Sequence, residues 1–226
     1  MTLAKLDRRW YELFVLVVLA AITTPIFWLT DADKVAAAWF YRLDGSEVLW
    51  PWQHWWLWEW LFKYAPSFTV IGAGVALVIA LLAQWRPNLK KLQRPAIFIM
   101  LVIVLGPGMV VNLIFKDHWG RPRPLHITEF GGSYQYVPPL QIGPTEDKSF
   151  PCGHCSVGYM FIALYFLSRK RKAFYFALTV VFGLTMGVTR MSAGGHFVSD
   201  ILWSGYLVFL TAWLLYYGWY CRREAA

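Results

Sequence analysis

Three residues with side chains suited to phosphate chemistry lie between Thr189 and Asp200, in the segment T-R-M-S-A-G-G-H-F-V-S-D. Arg190 provides a permanent cation whose fork geometry suits a phosphate-like anion. His196 and Asp200 are four residues apart, so on a helix they would share one face. A carboxylate that binds one imidazole nitrogen leaves the other free to attack or to accept a proton. The alternative is an ordinary loop whose polar groups cap a helix.

A second segment, K-D-H-W-G-R-P-R-P, runs from Lys116 to Pro124. Six residues separate Lys116 from Arg123, and two such cations can converge on one anion. Pro122 and Pro124 disfavour a helix and stiffen the backbone around Arg123, which suits a cation held in a fixed position. The alternative is that these side chains form a positively charged rim.

A third segment, S-F-P-C-G-H-C-S, runs from Ser149 to Ser156 at the start of an apolar stretch. A helix N-terminus presents unpaired N–H groups and the positive end of the helix dipole, and both attract anions. Gly153 would let a phosphate approach the backbone closely, and His154 can act as a general acid. Taken alone, such a segment is more often an ordinary helix cap.

The three segments contain K-x6-R-P, P-C-G-H and R-x5-H-x3-D in this order, and together they strongly resemble the type 2 phosphatidic acid phosphatase family. The family pattern is K-x6-R-P, P-S-G-H and S-R-x5-H-x3-D. The superfamily also contains soluble acid phosphatases and vanadium haloperoxidases. The motif residues cover Lys116 to Asp200, whereas the first 90 residues share only the expected arrangement of membrane spans.

This resemblance implies a role for each catalytic residue. His196 is expected to attack phosphorus and become a phosphohistidine, while Asp200 orients His196 and supports its positive charge. His154 is expected to protonate the leaving group and then to activate the water that cleaves the intermediate.

The resemblance also implies a phosphate-binding set. Lys116, Arg123 and Arg190 are expected to bind phosphate oxygens and to stabilise charge on the transferring phosphoryl group. The amide of Gly153 is expected to help hold the phosphate. Members of the family need no metal or other cofactor, because three cations can do the electrostatic work that magnesium does in kinases.

Two residues depart from the family pattern. Thr189 replaces a serine and keeps a hydroxyl group. Cys152 replaces the serine of P-S-G-H, and a thiol is a weaker hydrogen-bond donor, so one side-chain contact to phosphate is weakened while the backbone N–H remains. Arg121 and His118 match no motif position and are expected only to support the site.

The letters C-G-H-C at Cys152 to Cys155 allow a different interpretation, a membrane thiol–disulfide oxidoreductase. The flanking sequence lacks the β-α-β pattern of thioredoxin-like proteins, so we favour the phosphatase. A cysteine-based phosphatase requires C-x5-R, but Gly158 and Phe161 stand where that arginine would be. A structural disulfide and two free thiols both stay open.

The composition indicates a membrane protein. Hydrophobic residues make up 58% of the 226-residue chain and charged residues only 15%, whereas soluble domains carry about 25% charged residues. One all-α integral membrane domain over residues 1–226 is therefore predicted, with short interfacial helices on the outer leaflet and a core like that of phosphatidic acid phosphatases and haloperoxidases. The six predicted transmembrane helices cover approximately residues 10–29, 68–85, 96–115, 153–167, 173–189 and 197–220.

The basic residues predict the orientation of these spans. Thirteen of the 21 lie in segments that alternate correctly for a cytoplasmic location of both termini. A nucleic-acid surface is therefore excluded despite the net charge of +8, because the basic residues are divided among four short segments. The thirteen are Lys5, Arg8, Arg9, Arg86, Lys90, Lys91, Arg94, Arg169, Lys170, Arg171, Lys172, Arg222 and Arg223.

The segment from residue 31 to 66 is predicted to lie on the outer leaflet as one or two short helices. It contains the tryptophan-rich sequence W-P-W-Q-H-W-W-L-W-E-W, and tryptophan favours the headgroup level of a bilayer. An anchor is favoured over a lipid-entry platform, and His54 is taken as an interfacial residue rather than a ligand.

The predicted function is removal of a terminal phosphate from a lipid phosphate or diphosphate at the periplasmic face of a bacterial inner membrane. The candidate substrates are undecaprenyl diphosphate, phosphatidylglycerophosphate, phosphatidic acid and lipid A. Membrane lipids are the expected partners, and the sequence leaves the oligomeric state open. A lipid-to-lipid phosphotransferase with the same site is the alternative, since an alcohol can replace water. A transporter or lipid-binding protein is disfavoured because the charges cluster at one membrane face.

Overall fold

The computed structural model describes residues 7–42 and 49–221. Three cations used to predict the orientation, Lys5, Arg222 and Arg223, lie outside these ranges. The described residues form helices and no strand, apart from one isolated bridge between Ile127 and Tyr134. The α-helices are α1 (Arg8–Leu29), α2 (Ala32–Ala38), α3 (Trp56–Trp85), α4 (Lys90–Ile103), α5 (Gly153–Tyr159), α6 (Ile162–Leu167), α7 (Lys172–Met191) and α8 (Val198–Leu215).

Two of these helices continue as π-helices. α4 runs directly into a π-helix, Val104–Lys116, and α8 ends in a second π-helical stretch, Tyr216–Tyr220. The first π-helix contains the Gly-Pro-Gly triplet at 106–108, where the sequence predicts a bend. Pro107 has no backbone N–H and cannot form the i to i−4 hydrogen bond of an α-helix. The change from α-helix to π-helix accommodates this missing hydrogen bond.

Five helical segments are long and apolar enough to cross a membrane: Arg8–Leu29, Trp56–Trp85, Pro87–Lys116, Lys172–Met191 and Val198–Tyr220. Exposed apolar side chains such as Phe14, Val70 and Val181 cover their outer faces, as expected for surfaces that meet lipid. The all-α membrane fold is thus confirmed. The count of six spans is not, because Gly153–Leu167 is shorter and is divided into α5 and α6.

The tryptophan-rich segment differs from the prediction. One short helix, α2, does lie in the region expected at the outer leaflet, but α3 already begins at Trp56 rather than near residue 68. Pro66 lies inside α3 and does not end it. Membrane helices tolerate such a proline where neighbouring groups satisfy the freed backbone carbonyl.

The core of the bundle lies around α8, which packs against α5, α1 and the π-helix. Ile201, Val208 and Ala212 of α8 are buried in this core, as are Phe98 and Val102 of α4. α5 and α7 approach each other at Gly158 and Gly183, where a Cβ on Gly158 would lie 2.5 Å from the backbone nitrogen of Gly183. Small residues at a helix crossing permit this close packing.

The helix directions bring the three predicted segments to one end of the bundle. The π-helix ends at Lys116, α5 begins at Gly153, α7 ends at Met191 and α8 begins at Val198. The C-termini of two spans and the N-termini of two others therefore meet at the same end. The loop of residues 117–152 covers this end and includes two short 3-10 turns, Pro124–His126 and Thr128–Phe130.

Candidate active site

His196 lies between α7 and α8 and is buried, with 1% of its surface exposed. Its Nδ1 is 2.6 Å from the carbonyl oxygen of Ser149. Because a carbonyl can only accept, Nδ1 carries the proton and Nε2 carries the lone pair. Nε2 makes no hydrogen bond within the described part of the chain. The imidazole is thus held with its nucleophilic nitrogen free.

The carboxylate of Asp200 does not bind His196 directly, contrary to the expectation from their spacing. Oδ2 of Asp200 is 3.6 Å from Nδ1 of His196, too far for a hydrogen bond. The reason is that α8 begins at Val198, so His196 precedes the helix and does not share its periodicity. Asp200 still lies close enough to stabilise a positive charge on the ring.

Ser149 connects the two residues. Its hydroxyl donates to Oδ2 of Asp200 at 2.7 Å, while its carbonyl accepts from His196. The N–H of Phe197 also donates to Oδ2 at 2.8 Å, which caps the start of α8. The side chain of Asp200 therefore holds both Ser149, which binds His196, and the backbone N–H of Phe197, which follows His196.

Arg121 binds the other oxygen of Asp200 and is completely buried. It also forms a salt bridge with Asp33 of α2. Every side-chain nitrogen of Arg121 therefore has a partner, and two carboxylates share one guanidinium. Its remaining acceptors and their distances are Val137 O at 2.7 Å, Ser199 Oγ at 2.8 Å, Asp33 Oδ2 at 2.9 Å and Tyr136 Oη at 3.2 Å.

The protonation states in this buried network follow from its charges. Burial lowers the pKa of the Arg121 guanidinium, but the carboxylates of Asp200 and Asp33 outweigh burial and raise this pKa above its ordinary value. Burial raises the pKa of Tyr136, and the carboxylate of Asp33 raises it further. Arg121 thus stays charged, and Tyr136 stays a donor to Asp33 at 2.9 Å.

Three cations surround His196. Burial lowers the pKa of His196 well below its ordinary value, and the positive charges of Lys116, Arg190 and Arg123 lower it further. The carbonyl of Ser149 opposes this effect only in part. The imidazole is therefore neutral near pH 7, the state in which Nε2 is a nucleophile.

Two guanidinium nitrogens in the site have no partner. The Nε atoms of Arg123 and Arg190 are buried, and neither makes a hydrogen bond within residues 7–42 and 49–221. Buried polar atoms are nearly always paired, so two unpaired cationic donors beside a neutral histidine indicate a place for an anion. The backbone N–H of Arg123 donates to the carboxylate of Asp147 at 3.1 Å, which holds this cation's backbone in place.

His154, in the first turn of α5, lies among the same charges, near Arg190, His196 and Lys116. Its Nε2 is 3.2 Å from the carbonyl oxygen of Phe62, and its ring stacks on the Phe62 ring with 4.6 Å between centroids. The structure thus places the expected general acid beside the expected nucleophile. A residue of α3 holds it there.

Gly153 is tightly enclosed. A Cβ at this position would lie 2.9 Å from Nζ of Lys116 and would clash with the side-chain oxygen of Asn112. Any side chain here would push the ends of the Lys116 and Asn112 side chains away from the start of α5. Its backbone can therefore come as close to a bound anion as the sequence implies.

Cys152 and Cys155 form a disulfide bond, and both are completely buried. Cys152 precedes α5, and its Sγ accepts a hydrogen bond from the N–H of Cys155 at 3.2 Å. The choice between a disulfide and two thiols is thereby decided for this structure. The disulfide closes the first turn of α5, next to the glycine that faces Lys116.

A cavity of about 300 Å³ lies beside these residues, between α3, the π-helix and α5. Lys116 and His154 form part of its lining, together with Pro66, Val70 and Pro107. It therefore offers an apolar surface directly next to the charged site. Such a volume is at the lower end of the range for small-molecule sites, about 300–1,000 Å³.

Two histidines considered in the sequence lie away from this centre. His118 is on the exposed side of the loop, with Nδ1 3.1 Å from the carbonyl of Ile114. His54 pairs at 3.0 Å with Glu59 and is exposed. Within the described residues, no three His, Cys, Asp or Glu side chains are grouped as metal ligands.

Ser149 and Asp33 are site residues that the sequence did not indicate. Ser149 adjoins a motif, but its contacts depend on the course of the loop rather than on a recognisable pattern. Asp33 lies in the first 90 residues, far from every motif. Arg121, expected only to support the site, is instead its main buried counterion.

Comparison with known proteins adds independent information. The model of the PAP2 superfamily matches residues 95–224. A lipid A 4'-phosphatase of Francisella tularensis subsp. novicida is 38% identical over 171 residues, which are 74% of this chain and 76% of that protein. A lipid A 4'-phosphatase of Rhizobium leguminosarum is 31% identical over 120 residues, half of each chain. A lipid A 1-phosphatase of Rhizobium etli is 31% identical over 114 residues, 48% of this chain and 46% of that protein. No solved structure matches the chain.

Proposed function

The chain belongs to the PAP2 superfamily, and from this premise we propose that it is a membrane lipid phosphatase that releases phosphate from a phosphate monoester of lipid A. Among the four substrates that the sequence leaves open, the names of the similar proteins favour lipid A. The relative most extensively matched among those described acts at the 4' position, which makes that phosphate our first candidate.

The observation that carries this proposal is the state of His196. Its imidazole is buried and neutral, its Nδ1 proton is bound by Ser149, and its Nε2 is free among three cations. Nε2 attacks phosphorus, and the bond between phosphorus and the lipid oxygen breaks. The resulting phosphohistidine carries a positive ring, which the carboxylate of Asp200 stabilises from 3.6 Å.

His154 supplies the proton in the first step and removes one in the second. It protonates the lipid oxygen as that oxygen leaves, so the lipid departs as a neutral alcohol. It then accepts a proton from the water that attacks phosphorus. The bond between phosphorus and Nε2 of His196 breaks, inorganic phosphate is released, and both histidines return to their starting states.

Lys116, Arg123 and Arg190 bind the non-bridging phosphate oxygens throughout. The free Nε atoms of the two arginines are available for this contact. Fixed cations in a buried site stabilise the charge that develops on the transferring group without reorganising water. The amide of Gly153 is the fourth donor in this proposal.

We place the site at the periplasmic face of a bacterial inner membrane, with both termini in the cytoplasm. The distribution of lysine and arginine supports this orientation. All proposed catalytic groups lie at the end of the bundle opposite the basic segments at 86–94 and 169–172. A cysteine introduced at the exposed Ser133 and labelled from outside intact cells would test the orientation, which labelling only after lysis would contradict.

Phosphate release from purified lipids in detergent tests the function. The wild type should release phosphate from lipid A, and it should prefer a lipid A with a single phosphate at the 4' position over one with a single phosphate at the 1 position. His196→Ala should lose this activity, whereas replacing His118, an exposed histidine of the 117–152 loop, by alanine should leave it unchanged. Preference for phosphatidic acid or undecaprenyl diphosphate would reject lipid A as the substrate. Full activity of His196→Ala would reject the mechanism.

A further inference from the structure

Pro66 leaves one backbone carbonyl of α3 without its usual partner. In an α-helix the N–H of residue 66 would donate to the carbonyl of residue 62, but proline has no N–H. The oxygen of Phe62 therefore has no donor from the next turn of its own helix. Nε2 of His154 lies 3.2 Å from this oxygen.

The side chain of Phe62 contacts two residues of the site. One face stacks on the ring of His154 at 4.6 Å with an angle of 22° between the planes. The guanidinium carbon of Arg190 lies 4.4 Å from the centroid of the same phenyl ring. One residue of α3 thus contacts both a phosphate-binding cation and the proposed general acid.

We propose that Phe62 is a positioning residue for His154, and that Pro66 makes this possible by releasing the Phe62 carbonyl. The inference rests on the proposed function, since it assumes that His154 transfers protons. A carbonyl accepts only, so Nε2 of His154 keeps its proton while it is bound there. Nδ1 is then the nitrogen that gives a proton to the leaving lipid oxygen and later takes one from water.

The carbonyl of Phe62 also stabilises a positive charge on the His154 ring. When Nδ1 is protonated, both ring nitrogens carry hydrogen and the ring is positive, although burial and then the nearby positive charges of Arg190 and Lys116 oppose that charge. The negative end of the Phe62 carbonyl dipole offsets part of this repulsion. Stacking on Phe62 prevents the ring from turning away. α3, which contains no family motif, thereby contributes to the catalytic centre.

Pro66→Ala tests the inference with a small change. Alanine restores the N–H of residue 66, which then competes with His154 for the Phe62 carbonyl. Removing a proline from a helix interior stabilises the helix, so the melting temperature should stay equal or rise. We expect kcat to fall about five- to tenfold, the rate equivalent of about one lost hydrogen bond, with KM nearly unchanged. A melting temperature that falls together with kcat would overturn the inference in favour of a structural role.

Pro95→Ala is the matched control, because Pro95 lies inside α4 near the opposite end of the bundle. It should change neither kcat nor KM. Phe62→Leu is a second test, since it keeps the carbonyl and removes the ring. It should lower kcat and also raise KM, because Arg190 loses its contact as well. An unchanged Phe62→Leu enzyme would show that the ring does not position His154.

The effect of Pro66→Ala should depend on His154, and this dependence distinguishes a failure of the inference from a failure of the proposed function. In the His154→Ala background, Pro66→Ala should cause no further loss of kcat, because its target has been removed. An equal further loss would refute the positioning role. If His154→Ala itself has wild-type activity, the proposed function fails in its acid–base step. If His154→Ala keeps only a small residual activity while Pro66→Ala is fully active, only the present inference fails.

Discussion

Replacing Arg121 by methionine should destabilise the protein more than replacing any exposed arginine. Arg121 is completely buried, and its guanidinium neutralises two buried carboxylates, Asp33 and Asp200. Methionine fills most of the same volume but leaves both carboxylates without a counterion. The loss of stability therefore measures the effect of the unpaired carboxylates rather than that of a cavity.

The magnitude follows from the cost of an unpaired buried charge. Breaking a buried ion pair by removing one partner costs about 3–5 kcal/mol. Folded domains have a total stability of about 5–15 kcal/mol, so this change removes a large fraction. Arg121→Lys should recover only part of it, because an ammonium group cannot reproduce the fork that reaches Asp33, Asp200 and the carbonyl of Val137 together.

Thermal unfolding in detergent measures the effect, with Arg86→Met as an exposed control. Asp33→Asn removes one of the two carboxylates, so the double variant Arg121→Met, Asp33→Asn should be less destabilised than the sum of the single changes. Strict additivity, or a loss below about 1 kcal/mol for Arg121→Met, would refute this electrostatic account. Phosphate release at low temperature should be reduced in Arg121→Met, because Asp200 loses the partner that holds its Oδ1.

Three further outcomes are expected. Cys152→Ser removes the disulfide but should keep phosphate release within about twofold, because the serine oxygen can still accept from the Cys155 N–H with about one hydrogen bond's strength. A thiol–disulfide oxidoreductase would lose its redox activity in the same variant. EDTA should leave phosphate release unchanged and vanadate should inhibit competitively, since cations hold the phosphate; inactivation by EDTA would require a metal. Stability should fall as the pH drops below about 6.5, because the unfolded chain protonates residue 196 while the buried His196 stays neutral. His196→Gln should show a shallower fall in melting temperature, and an identical fall would contradict this.

The motif residues were predictable because their chemistry is local in sequence. Lys116 and Arg190 lie at the ends of long apolar helices, and Gly153 begins the shorter apolar segment Gly153–Leu167. The alternation of apolar stretches along the sequence brings such ends to a common face. The contacts that hold them were not predictable in the same way. Asp33 meets Ser199 and Arg121 only because α2 folds back onto the start of α8, and no spacing rule connects positions so far apart.

α3 shows a second reason why part of the structure could not be predicted from the sequence. The tryptophan-rich sequence suggested an interfacial segment up to residue 66, with the next membrane span beginning near residue 68. The helix instead begins at Trp56 and continues through Pro66, and His154 lies at hydrogen-bond distance from the carbonyl that the proline releases. This contact joins residues 92 positions apart, so no local pattern could have indicated it.

The charges of the site explain why His196 and Asp200 need not touch. Asp200 and Asp33 carry two negative charges, and Arg121 neutralises one of them, so this buried cluster keeps one net negative charge beside His196. Lys116, Arg123 and Arg190 form no salt bridge within the described residues and remain available to a phosphate dianion. Before attack the histidine is neutral, and the cations hold the phosphate. After attack the ring is positive, and the net charge of the cluster stabilises it at a distance of 3.6 Å without a hydrogen bond. Asp200 can therefore stabilise the positive charge of the phosphohistidine, while the hydrogen bond from His196 to Ser149 orients the imidazole before attack.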